Sequence, residues 1–379
     1  MAGQTMSAES LLAQRVSSPD HLMRFLWRCG HDTLAAPALL ALEETARQFD
    51  ESDWLALCAM ANRERMGPLV FWHLASANLL TSLPPEAVSD LKRQYCVSLV
   101  RNRVLWSELQ TILQAFAARG CDATPLKGVS LARRAYSEPA LRPTGDTDLL
   151  ISASAAETCH EALLSLGYAP QPGSERLTGR HAIRFQELIY TKAGKPAVEL
   201  HTTLARAPSY RNSLPLAAVW NRAQEVSVDG QTLRRLHPHD EAMYLCLHMA
   251  AQHQFDCLIW LVDIAQILGA VPSAWDWDAF AREVIARRVA TPVAVTLERA
   301  QAHLGVQAPA VIMRQLRAAA RGGRERSAWR LAQAEFAHPR RAGLHFLGLP
   351  TVPQRLAFAR EMTAVGLRRI ALALRRDRL

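Results

Sequence analysis

Leu126-Lys127-Gly128-Val129-Ser130, running on to Arg142-Pro143-Thr144-Gly145-Asp146-Thr147-Asp148-Leu149-Leu150-Ile151, is the stretch around which the chain is organised. Two aspartates two residues apart lead into an apolar run, the pattern of carboxylates at the start of a buried strand. Strand side chains alternate between faces, so Asp146 and Asp148 point the same way. Two hard oxygen donors side by side suit a pair of magnesium ions on a polyphosphate. Taken alone, an Asp-x-Asp pair reads more readily as a turn or a solvated face. The apolar run behind it, the glycine before it and a distant strand carboxylate favour the site.

That distant carboxylate is Glu199, within Val198-Glu199-Leu200-His201. A charge inside an apolar strand costs free energy unless it has a partner, so Glu199 is expected to complete a triad with Asp146 and Asp148. His201 shares its face by the same period of two. Upstream, Gly128 and Ser130 fall where a short strand gives way to a helix. Amides at such a helix start bind phosphate, and glycine permits close approach. Lys127 and Arg142 are the nearest cations for phosphates or carboxylates. Lys127 as a surface lysine and His201 as a hydrogen-bonded strand histidine remain open alternatives. Two metal ions about 4 Å apart can activate an attacking oxygen and stabilise a leaving one. Carboxylates, cations and a phosphate cradle therefore suit nucleotidyl transfer, where positioning and electrostatics carry most of the chemistry.

Working outward, residues 1–120 read as a helical region. Trp54, Leu57, Cys58 and Ala61 recur at helical spacing, as do Leu105, Leu109, Ile112, Leu113 and Phe116. Pro84-Pro85 marks a break, and Gly120 a left-handed cap. Residues 121–236 read as the catalytic domain: a short segment 121–126, a helical run 129–136, a strand 147–152 and a helix 153–166 closed by Gly167. Further strands are expected at 183–191 and 197–202, after Gly194-Lys195-Pro196. The chain returns to helix over 237–379, with runs from His239-Asp240-Glu241 to Met249, from 255 to 268 and from 275 to 286. A basic amphipathic helix is expected over 353–379. The fold class is α+β with an α/β core and a mixed sheet flanked by helical regions.

Composition narrows the function classes. An apolar fraction of 49% beside 21% charged residues is that of a globular chain, not a disordered one. No uncharged apolar run is long enough to span a membrane; the best, 257–271, is short and carries Asp263. The polar start lacks the order of a signal peptide. Seven scattered cysteines suggest reduced thiols, so a bacterial cytoplasmic protein is expected. The net charge of +9 is uneven: residues 281–379 hold 19 Lys+Arg against 6 Asp+Glu, leaving 25 basic against 29 acidic elsewhere. The basic third could face nucleic acid, anionic lipid or an acidic partner, or be a solvated arginine-rich surface.

Competing constellations are weaker. Cys246, His248, His253 and Cys257 resemble zinc ligands, but on one continuous helix His248 would point away from the other three. A dinucleotide-binding glycine fingerprint, a phosphate-loop lysine motif and a nucleophile elbow are all absent.

Lys127-Gly128, Arg142, Gly145-Asp146-Thr147-Asp148-Leu149-Leu150-Ile151 and Glu199-Leu200-His201 together resemble the uncharacterised nucleotidyltransferase family of the DNA polymerase beta-like superfamily. The resemblance extends to Arg65-Met66-Gly67-Pro68-Leu69 and to His248, His253, Leu261 and Asp263, up to about residue 270. It implies transfer of a nucleoside monophosphate from a nucleoside triphosphate such as ATP, with Mg2+ or Mn2+ held by Asp146, Asp148 and Glu199. Lys127, Gly128, Ser130, Arg142, Gly145 and His201 would surround the nucleotide, and His248, His253 and Asp263 would line the cleft. In that superfamily a Gly-Gly or Gly-Ser pair usually lies close to the aspartates; Gly128-Val129-Ser130 departs from this in form and in its long gap to Asp146. The acceptor is open between a small molecule, a peptide, a protein and an RNA. The alternative is a non-catalytic nucleotide- or nucleic-acid-binding module on the same fold, and a membrane-anchoring role for the last helix is weaker still.

Overall fold

A computed structural model describes residues 19–171, 187–207, 209–253, 255–269 and 275–333. The expected basic helix over 353–379 and the start of the strand expected from 183 lie outside these residues.

Helices α1 (Pro19–Arg28), α2 (Ala36–Ala46), α3 (Glu51–Arg63) and α4 (Gly67–Ser76) precede the long α5 (Pro85–Ala117). Asp50 starts α3 with a reciprocal capping box to Asp53. Pro85 opens α5 at a position where its missing N–H has no intrahelical partner to lose. Beyond the end of this 33-residue helix, Gly120 turns the chain at φ +70 toward the sheet.

The sheet comprises β1 (Ala123–Pro125), β2 (Asp146–Ile151), β3 (Ala169–Pro170), β4 (Glu187–Lys192) and β5 (Lys195–His201), in the order β1-β2-β5-β4-β3. It is mixed, as expected. β2 and β5 run parallel, and the other pairs are antiparallel. Between β1 and β2 lies the short α6 (Gly128–Ala135); after β2 comes α7 (Ala156–Ser165), ended by Gly167 at φ +81. A further hairpin, β6 (Gln224–Val228) with β7 (Gln231–Arg235), follows α8 (Leu216–Arg222). Asp229 and Gly230 both sit at positive φ in its turn, the geometry that matches strand twist in two-residue loops.

Then come α9 (Pro238–Leu247), a π-helical turn (His248–Gln252), α10 (Leu258–Gly269), α11 (Trp277–Ala286), α12 (Ala290–Leu304), α13 (Ala310–Ala320) and α14 (Gly323–Gln333). The helix expected to continue through Met249 gives way at His248 to the wider turn. Among the described residues, no helix is long and apolar enough to cross a membrane.

Two apolar layers fix the sheet's orientation. Leu149, Ile151, Val198 and Leu200 pack against Leu105, Leu109, Ile112 and Phe116 of α5 and Cys159, Ala162 and Leu163 of α7. On the other face, Leu150 joins a larger core in which Phe25, Trp54 and Leu69 pack with Met243, Ile259 and Leu297. Side chains from both ends of the described chain thus close over one face of the sheet. At the polar end of that face, β2 and β5 leave a cavity.

Candidate active site

Side-chain alternation along β2 places Leu149 in the apolar layer and Asp146 and Asp148 on the opposite face. The parallel register sets Asp148 opposite Glu199 and Asp146 opposite Ala197. The three carboxylates therefore share one end of one face. They line a cavity of about 310 Å3. Asp148 is buried, while Asp146 and Glu199 are half-buried.

Lys127 and His201 bracket Asp148. Lys127 Nζ lies 2.8 Å from Oδ2, and His201 Nε2 lies 3.0 Å from Oδ1. His201 Nε2 also approaches Glu199 Oε2 at 3.7 Å. Burial works against ionisation of Asp148, but Lys127 and the His201 hydrogen bond outweigh it and hold the carboxyl far below the usual carboxylate range. Asp146 shifts the other way, raised by burial and then by the neighbouring Asp148 charge. Burial pulls the Lys127 ammonium down, yet Asp148 and Asp146 keep its pKa above the ordinary lysine value.

Gly128 begins α6 at φ +66, with Lys127 making no side-chain cap. A Cβ there would meet Thr144 Cγ2 at 3.0 Å and the Asp146 carbonyl oxygen at 3.4 Å, so only glycine lets these backbones approach. The helix start opens onto the cavity through Gly128. Ser130, two residues further on, is buried and does not line it. Gly145 does line it, and its carbonyl accepts from Arg101 Nη2 at 2.8 Å.

Arg142 reaches the cavity from below. Its Nε and Nη2 donate to Asp263 Oδ1 and Oδ2 at 2.8 and 2.7 Å, a two-pronged pair, and Tyr136 OH donates to Oδ1 at 2.7 Å. Asp263 is fully buried and contacts Arg142 without lining the cavity. It supports the cleft from behind. Although burial alone would lower it, the Asp263 carboxylate raises the Arg142 pKa further.

The facing wall comes from the π turn. The His253 amide donates to the His248 carbonyl at 3.2 Å, five residues back. That wider turn stacks residues five apart, so the two imidazoles lie with ring centroids 4.5 Å apart. The expectation that His248 points away from His253 assumes one continuous α-helix and is corrected by this turn. Trp260 of α10 packs on both rings, at 5.0 and 4.6 Å. Burial first, and then Lys127, push both histidines below the ordinary imidazole value, so both are neutral near pH 7. The cysteines of the zinc-like spacing diverge: Cys246 is buried in the helical core, and Cys257 Sγ points to the Glu64 carbonyl.

Among the described residues, the one His/Cys/Asp/Glu group with metal-binding geometry is Asp148, Glu199 and His201, whose donor atoms lie within 4.8 Å of one another. Asp146 stands beside this group without belonging to it. The donor set fits a divalent cation: two carboxylates and an imidazole converge, and the Asp148 charge, after burial, raises the pKa of the neighbouring Asp146.

Several cavity residues escape sequence reasoning. Arg206, Tyr244, Gln252 and Trp260 line the cavity and stand in no motif. Arg65 lines it too, at φ +57 between α3 and α4, with its guanidinium 6.0 Å from the Trp260 ring. The signal for Arg65 was present in Arg65-Met66-Gly67-Pro68, where an arginine occupies the place of a helix-ending glycine.

Comparison with curated proteins and with solved structures finds no match. A family model described as uncharacterised nucleotidyltransferase matches residues 50–305, from the start of the α3 region to the cap of α12, and spans every cavity residue named above. The chain belongs to the uncharacterised nucleotidyltransferase family.

Proposed function

We propose that the protein transfers a nucleoside monophosphate from a nucleoside triphosphate, with ATP the first to test, to an acceptor hydroxyl or similar nucleophile. Attack is in line at the α phosphorus and depends on Mg2+ or Mn2+. The observation that carries this reading is the register setting Asp148 opposite Glu199, with Asp146 on the same face. Asp148, Glu199 and His201 converge to hold the cation, and Asp146, beside them on the same face, is placed to share it. When bound, the divalent ion supplies charge neutralisation on the triphosphate and a lowered pKa for a coordinated hydroxyl.

The chain's own groups do the rest. Lys127 remains charged and, once Asp148 has another partner, is placed to bind a phosphate oxygen. The Gly128 end of α6 offers backbone amides to a phosphate. Arg142, locked by Asp263, keeps a fixed positive charge under the reacting centre at no cost in reorganisation. His248, buried, and His253, half-buried, are both neutral and form a wall able to accept a proton or hydrogen-bond the acceptor.

The test is pyrophosphate release from a panel of nucleoside triphosphates with Mg2+, using cell extract as the acceptor source. Asp146→Ala with Asp148→Ala is expected to abolish release while leaving the far-ultraviolet dichroism unchanged. Full turnover by that double variant would remove the metal-site reading. Salt-sensitive nucleic-acid binding that survives the double variant, without any pyrophosphate release, would favour a binding module instead.

A further inference from the structure

A second cleft, of about 360 Å3, adjoins the catalytic cavity and shares Arg65 and Gly145 with it. Its floor is α5, where Arg93, Val97 and Arg101 follow one another at single-turn spacing. Arg93 and Arg101 are therefore about 12 Å apart along one face. Among the described residues no carboxylate lines this cleft; Asp90, one turn earlier on α5, pairs with Arg93.

Three features give it a preference for anions. Arg65, Arg93 and Arg101 line it with exposed guanidinium groups. The first turn of α4 lines it through Pro68, with Met66 making no side-chain cap and the Gln94 side chain packed against Gly67, so the positive helix end adds to the field. The independent observation is Ser98. It lines the cleft, is 97% buried and has a hydroxyl with no hydrogen-bond partner among the described residues. A buried hydroxyl left unpaired beside guanidinium groups fits a ligand oxygen. Arg101 meanwhile ties the cleft to the chemistry, because the carbonyl that it grips belongs to Gly145, next to Asp146.

We infer that this cleft holds the phosphate of a small phosphorylated acceptor. The inference rests on the nucleotidyl-transfer reading above. Seated there, the acceptor's hydroxyl extends past Gly145 to the triphosphate. Its oxygen bonds the α phosphorus, the bond to the pyrophosphate oxygen breaks, pyrophosphate leaves, and the hydroxyl proton passes to water. A nucleic-acid strand fits less well, since among the described residues no aromatic side chain lines the cleft to stack a base.

The test is calorimetric titration with inorganic phosphate after the catalytic cavity has been filled with a non-hydrolysable triphosphate analogue and Mg2+. Phosphate is expected to bind alongside the analogue. Arg93→Ala and Ser98→Ala should each weaken phosphate about tenfold, the worth of one hydrogen bond to a charged group. Both variants should bind the analogue as the wild type does, which also shows that they are folded. Exclusion of phosphate by the analogue, or unchanged phosphate binding in both variants, would overturn the assignment. So would tighter, Arg93-dependent binding of a short oligonucleotide without a terminal phosphate. If the analogue itself fails to bind the wild type, the parent reading fails, and Arg93-dependent phosphate binding still decides the cleft.

Discussion

Asp263→Asn isolates what the buried Arg142–Asp263 pair contributes. The carboxylate is fully buried and accepts three hydrogen bonds, two from Arg142 and one from Tyr136. Asparagine keeps the shape, but it turns one acceptor into a donor facing a guanidinium and leaves a buried cation uncompensated. Breaking a buried pair in this way costs about 3–5 kcal/mol. Against a total stability of about 5–15 kcal/mol, that is a large fraction. Urea unfolding followed by tryptophan fluorescence is the assay, with Glu43→Gln as the control. Glu43 pairs with Arg47 on the surface, where the arginine side chain is 73% exposed, so that change should move the midpoint little. Replacing both members, as Arg142→Met with Asp263→Leu, should recover most of the loss, because the desolvation of two charges is removed along with their attraction. The recovered protein should still fail in triphosphate binding. If Asp263→Asn shifts the midpoint no more than Glu43→Gln, the pair is not holding the floor of the cavity and the reasoning is wrong.

Two further predictions concern the carboxylates and their cradle. Gly128→Ala forces a side chain into left-handed backbone at 3.0 Å from Thr144 Cγ2; it should cost about 1–2 kcal/mol in urea unfolding and weaken triphosphate binding more than an alanine elsewhere on α6. Burial and Asp148 raise the Asp146 pKa, so as pH falls Asp146 takes up its proton before an unperturbed aspartate would, and protons then compete with the cation. Mg2+ or Mn2+ affinity should therefore decline before ordinary carboxylates titrate. Calorimetry in two buffers of different ionisation enthalpy should detect proton release on binding at mildly acid pH and none at pH 8; equal proton counts would contradict the shift.

The carboxylate cluster was legible because a strand's period is short and local. Asp146, Asp148 and Glu199 each announce a face within their own few residues, and the structure brings those faces together. What joins them, the parallel pairing of β2 with β5, spans about fifty residues and leaves no local mark. The support of Arg142 is similar: its partner lies 121 residues away, so Asp263 could be named from the resemblance but not given its position behind the cavity. The placement of His248 depended on helical phase, and the extra residue in the π turn rotates that phase by about 100° without any proline or glycine to signal it. The β6–β7 hairpin is a different case. Its Asp229-Gly230 turn is a strong local signal and Val226 and Val228 alternate with polar neighbours, but the flanking runs are short and largely polar. Ser130 illustrates the limit of a local signal: a hydroxyl near a helix start suggests a phosphate ligand, while the packing of α6 buries it away from the cavity lining.

The parallel register of β2 and β5 also bears on how the chain assembles. If β5 slipped by one residue, Glu199 and His201 would swing into the layer occupied by Leu109, Phe116 and Leu163, while Val198 and Leu200 would turn toward the cavity. An unpaired carboxylate in that layer costs several kcal/mol, more than a central strand pair can easily recover. The charges that make the site expensive to bury thus reject the misaligned sheet, and the residues proposed to carry the chemistry also act as a proofreading device during folding.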